Sequence, residues 1–129
     1  MDAAQALADL TEISSQIESA VLFDESGAVR GSTLRDERSA AELAGAAAQL
    51  LERAGSAHAE HAVTQLEAAL GAGSVFVVRS GDQRIAATTG PQPTVGLVFY
   101  DLKSALRSAQ SEPEKPKRSP RRKQAAGEA

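Results

Sequence analysis

The sequence predicts an α+β domain whose elements run helix, two strands, helix, three strands, helix. Three observations carry that order. Three segments place apolar residues at the three-and-four spacing of an amphipathic helix. Two short runs, Ala20-Val21-Leu22-Phe23 and Val75-Phe76-Val77-Val78, are apolar at every position, as strands covered on both faces are. Glycine-bearing turns, Glu25-Ser26-Gly27, Gly71-Ala72-Gly73 and Ser80-Gly81-Asp82, separate neighbouring strand candidates by hairpin lengths.

From Asp2 to Ser19, Ala6, Leu7, Leu10, Ile13 and Ile17 form one stripe, which predicts the first helix. Ala20 to Asp24 is then a strand inside the sheet. Ala28 to Thr33 returns from the Gly27 turn, and its Arg30 reads as the charge that guards an edge against a foreign strand. The adjacent carboxylates Asp24 and Glu25 are read as turn formers. Ser39-Ala40-Ala41-Glu42 fits a capping box and starts the second helix, with Asp36 as a competing start. Its core stripe is Ala40, Leu43, Ala47, Leu50, Leu51 and Ala54. A strip without bulk, Ala41, Gly45 and Ala48, lies between that stripe and the polar arc of Glu42, Gln49 and Arg53. Strands follow at Val63 to Leu70, Ser74 to Arg79 and Gln83 to Thr89, until Pro91 and Pro93 stop the sheet. Thr94 caps a third helix with core residues Val95, Val98, Phe99, Leu102, Ala105, Leu106 and Ala109.

The domain spans residues 1–110 and a tail spans 111–129. The formal charge of the chain is −3, divided as −6 over the first part and +3 over the second. The tail has three prolines, no aromatic and no large aliphatic residue, so it is predicted to be disordered. Its Lys115, Lys117, Arg118, Arg121, Arg122 and Lys123 suit weak contact with nucleic acid or an anionic membrane.

Composition excludes several chemistries. With no cysteine there is no disulfide, thiol catalysis or zinc-thiolate site. His58 and His61 fall in a predicted loop, where two imidazoles alone do not make a metal site. The glycine turns lack the Gly-Lys-Ser/Thr that follows a phosphate-binding loop. Arg35 and Arg38 beside the second helix are read as solvated charges rather than arginine fingers. We therefore expect no enzyme, no metal, no cofactor and no small-molecule substrate. No apolar run is long enough to span a bilayer, and the expectation is a cytoplasmic protein.

The phrases AVLFDESGAVRGST, AAELAGAAAQLLERAG, GSVFVVRSGDQRIAATTG and TVGLVFYDLKSAL, in that order, resemble the roadblock family of dynein light chain type, related in fold to longin and profilin-like domains. The resemblance covers residues 3 to about 109. It implies a five-stranded antiparallel sheet with the first and third helices on one face and the second on the other. It also implies a homodimer, in which the third strand pairs with its twin and the second helices pack together. Ala41, Gly45, Ala48, Thr64, Leu66, Glu67 and Ala68 are then the interface residues. Family members regulate or scaffold Ras-like small GTPases, which makes Glu42, Gln49, Glu52 and Arg53 the candidate partner contacts. The rival expectation is an assembly scaffold tethered through the basic tail, without GTPase regulation.

Overall fold

In a computed structural model the described residues are 2–57 and 62–110. The tail and the His58/His61 loop, with the expectations attached to them, lie outside the described residues. The elements are α1 (Ala3–Ile13), β1 (Ile17–Asp24), β2 (Val29–Ser32), α2 (Glu37–Ala57), β3 (Gln65–Leu70), β4 (Gly73–Ser80), β5 (Gln83–Thr89) and α3 (Val95–Gln110). The sheet is antiparallel in the order β2-β1-β5-β4-β3, so β1 and β4 are interior and β2 and β3 are its margins.

Alternation along the interior strands sorts side chains between two cores. On one face Ala20, Leu22, Phe76, Val78, Ile85 and Ala87 meet Leu7 and Leu10 of α1 and Val98, Leu102, Ala105 and Leu106 of α3. Phe76 and Phe99 pack edge to face with centroids 5.0 Å apart, an arrangement worth about 1 kcal/mol beyond its area. On the other face Val21, Phe23, Val77 and Ala86 meet Ala40, Ala44, Ala47 and Leu51 of α2. Two cores on one sheet are the reason β1 and β4 carry no polar alternation.

The first helix is shorter than its spacing predicts. Asp2 caps it by accepting from the Gln5 N–H at 2.8 Å, and Ser14 ends it with its N–H on the Leu10 carbonyl. Ile17 belongs to β1, opposite Thr89, and Ile13 is left 73% exposed instead of joining the core. The second helix starts one turn before the capping box. Asp36 accepts from the N–H of Arg38 and Ser39 and from the Ser39 hydroxyl at 2.7 Å, so Ser39 stands inside the helix. Those bonds, the Ser39 hydroxyl foremost, hold the Asp36 carboxyl below its ordinary pKa. Leu43, Leu50 and Ala54 are half-buried, and the core position missing from the predicted stripe is Ala44. Val95 is exposed, and α3 begins its burial at Val98.

Two glycines are required by close approach rather than by a turn. Gly73 opens β4, and a Cβ there would overlap the Thr89 carbonyl oxygen. At Gly31 a Cβ would stand 3.1 Å from Ala3 Cβ and 3.2 Å from Leu7 Cδ1, so this residue lets α1 lie against β2. The turn glycines proper are Gly27 (φ 91°) and Gly81 (φ 63°).

Candidate functional site: an open sheet margin and the outer face of the second helix

Because β3 is a margin, half of its backbone hydrogen-bonding groups have no partner among the described residues. The Arg79 N–H donates to the Thr64 carbonyl at 2.8 Å, which sets the phase of the ladder. In antiparallel alternation the pairs Leu66 with Val77 and Ala68 with Val75 then exchange bonds, and the groups of Gln65, Glu67 and Ala69 point outward. The register from Gln65 to Leu70 has no bulge. Leu66 and Ala68 are half-buried beneath the α2 side, Leu70 is 66% exposed, and Thr64 lies just outside the strand.

The one charge on this margin is not directed at solvent alone. Glu67 Oε2 accepts from the Ser74 hydroxyl at 2.9 Å, across to β4. A carboxylate drawn back over its own sheet guards an edge less than one projecting from it.

The opposite margin is closed by its own residues. Asp24 Oδ1 accepts from the Ser26 hydroxyl at 2.6 Å and from the N–H groups of Ser26 and Ala28, while Oδ2 takes the Arg30 guanidinium at 2.9 to 3.0 Å. The Ser26 hydroxyl is the largest cause of a carboxyl pKa lowered from 3.8 to about 2; partial desolvation opposes it, and Ala28, Arg30 and the Ser26 N–H reinforce it. Arg30 thus belongs to the turn as well as to the edge, and the turn reading of Asp24 is the one the bonds support.

Along α2, Ala41, Gly45 and Ala48 are exposed, and nothing lies within 4 Å of a Cβ built on Gly45. Within one chain, therefore, no contact requires glycine there. Glu42, Gln49, Glu52 and Arg53 are exposed too. By spacing, Glu52 continues the small-residue strip four residues past Ala48, whereas Glu42, Gln49 and Arg53 share the outermost arc. Arg38 Nε lies 3.8 Å from Glu42 one turn on, and Arg35 is exposed. The structure thus brings the helix-two candidates together on one outer surface and the strand candidates together along one margin.

Sequence reasoning missed two charged residues. Arg84 is only 9% exposed, on the α2 side of β5, with its guanidinium on the Gly81 carbonyl at 3.3 Å. Asp101 is 7% exposed on the flank of α3 that faces α1. The signal for Asp101 was in its position, one turn after Leu97 and one before Ala105, at the rim of an apolar stripe. Among the described residues no three His, Asp or Glu side chains gather as metal ligands, and no helix is long and apolar enough to cross a membrane.

An antiparallel five-stranded sheet with two helices on one face and one on the other defines an α+β class built around a single sheet. Within that class the fold is the Roadblock/LC7 fold. The chain is similar to a Roadblock/LC7 domain from Streptomyces avermitilis, with a TM-score of 0.75 and 22% identity over 85% of this chain and 96% of that one. It is also similar to MglB of Myxococcus xanthus (TM-score 0.63, 14% identity, 84% and 89% of the two chains). A gliding protein MglB from Thermus thermophilus matches with a TM-score of 0.63 and 16% identity over 83% and 84%. No protein-family model and no curated protein matches the sequence.

Proposed function

We propose that this protein is a non-enzymatic homodimer that regulates or scaffolds a Ras-like small GTPase in the cytoplasm. The observation that carries the reading is the unbulged β3 margin, whose outward N–H and C=O groups are placed to pair with a twin strand. Such pairing would extend the sheet from five strands to ten and set the two α2 helices side by side. The exposed strip of Ala41, Gly45 and Ala48 then serves close helix approach, and Glu42, Gln49, Glu52 and Arg53 form the docking platform. Similarity in fold to MglB supports the choice of partner class.

Regulation without a catalytic group requires unequal affinity for the two switch states of the GTPase, because a partner binding both equally shifts nothing. The direct assay measures GTP hydrolysis and nucleotide exchange by Ras-like GTPases from the same cell, with and without the protein. The expected result is a changed rate that falls back on combined alanine substitution of Glu42, Gln49, Glu52 and Arg53. Unchanged hydrolysis, exchange and binding across those GTPases would remove the regulatory role.

A further inference from the structure

On the sheet face opposite α2, the line where α1 meets α3 is a groove of about 280 Å³ whose lining includes Asp9, Ile13, Tyr100, Asp101, Ser104 and Ser108. Three observations at this groove have no explanation in the fold. Asp101 is 7% exposed, lines the groove, and has no hydrogen bond or ion pair among the described residues. Its shoulders are large and apolar yet uncovered, Ile13 at 73%, Tyr100 at 69% and neighbouring Leu97 at 50% exposure. The local charge has one sign. Residues 1–29 contain no lysine or arginine, and the two cations of α3, Lys103 and Arg107, line a separate groove beside Thr64 and Gln65.

The Asp101 oxygens reach solvent at the groove, where no donor of the described residues meets their charge. The same group favours binding when a cation arrives, because a charge-assisted hydrogen bond in a partly desolvated groove is stronger than one in water. The exposed Tyr100 ring beside it suits a guanidinium, which can stack on an aromatic face while its N–H fork reaches a carboxylate. Ile13 and Leu97 call for aliphatic side chains on either side.

We propose that the α1/α3 groove is a second docking site, separate from the β3 margin and the α2 surface, for a segment of another protein that presents an arginine flanked by aliphatic residues. The guanidinium pairs with Asp101, with Asp9 nearby, and the flanking side chains cover Ile13, Leu97 and Tyr100. The chain's own tail has cations but no large aliphatic residue to cover those shoulders, so it fits the groove less well. With this groove on one face and α2 on the other, one chain can hold two partners at once.

The test is an NMR titration of the full-length protein with the peptide acetyl-Leu-Arg-Leu-amide, and with the same peptide carrying neutral citrulline for arginine. The expected result is saturable shifts at Ile13, Tyr100, Asp101 and Ser104, with the citrulline peptide binding about tenfold more weakly. Asp101→Asn should erase the preference for arginine while leaving thermal stability within about 0.5 kcal/mol of the parent, because the carboxylate has no partner among the described residues to lose. Tyr100→Ala, at an exposed position, should weaken binding with the fold intact. Absence of groove shifts, equal binding of both peptides, or an Asp101→Asn chain that binds as well as the parent would overturn the proposal. So would a loss of stability in Asp101→Asn accompanied by unchanged peptide preference in Tyr100→Ala, which would make Asp101 a structural residue. If substituting the six tail cations by glutamine shifts the groove resonances before any peptide is added, the tail is the occupant and the assignment to another protein fails. If those resonances move with protein concentration alone, the occupant is a second copy and the assignment fails equally.

Discussion

The two margins of this sheet differ in almost every property that decides whether a strand pairs with a stranger. β2 has four residues, a register break opposite Leu22 and Phe23, an arginine fastened to Asp24, and α1 pressed on Gly31. β3 has six residues in unbroken register, three of them with backbone groups turned outward, and its single charge is bonded back to Ser74. Shortness, a bulge and a charge are devices by which sheets avoid edge-to-edge association. One margin has all three and the other only the charge of Glu67, so β3 is the less guarded of the two.

The substitution expected to break that contrast most is Ala69→Pro. It removes an outward N–H without touching the ladder to β4, and prolines are tolerated on edge strands for that reason. The dimer Kd should rise about a hundredfold, roughly a 3 kcal/mol loss, in sedimentation experiments, with the circular dichroism of a folded chain. Gly73→Ala acts on the same hairpin from inside. Its Cβ meets backbone rather than a yielding side chain, and chemical denaturation should register about 3 kcal/mol of lost stability. At β2, Gly31→Ala meets chiefly side chains, Ala3 and Leu7, so about 1 kcal/mol is expected with the solution mass unchanged.

Acid sharpens the comparison further. The Asp24 carboxyl is lowered to about 2 in the folded chain, so its contribution is complete above the ordinary carboxyl range near 4 and is lost as pH falls toward 2. Asp24→Asn should be less stable than the parent at neutral pH and should lack that part of the acid-induced loss, as read in denaturation midpoints between about pH 5 and pH 2. The smallest effect on stability belongs to the α2 surface. Alanine at Glu42 or Gln49 should leave stability within about 0.5 kcal/mol, so that any loss of GTPase response reports contact rather than folding.

Much of the fold was legible because two cores share one sheet. The unbroken apolarity of Val21 to Phe23 and of Val75 to Val78 identifies interior strands and the charge on β2 identifies a margin, whereas the marginal place of β3 was implied by the family resemblance. The boundaries were less legible for local reasons. Ile17 stands four residues after Ile13, a spacing that serves a helix in sequence, but pairing with Thr89 recruits it to β1. Asp36 and Ser39 stand three apart, and either can cap; the carboxylate, with two oxygens for three donors, takes the position. Among site residues, exposure of the α2 strip followed from the helical period, whereas Asp101 was hidden because a lone acid beside an apolar stripe reads as the stripe's polar rim. Its burial arises from α1 lying across it, which no local pattern contains.

The measurement closest to the central claim is the solution mass of the full-length protein at micromolar concentration, by sedimentation equilibrium, beside its Ala69→Pro variant. The expected result is twice the mass of one chain for the parent and one chain for the variant. A parent that sediments as a single chain, or a variant that remains a dimer, would contradict pairing along β3.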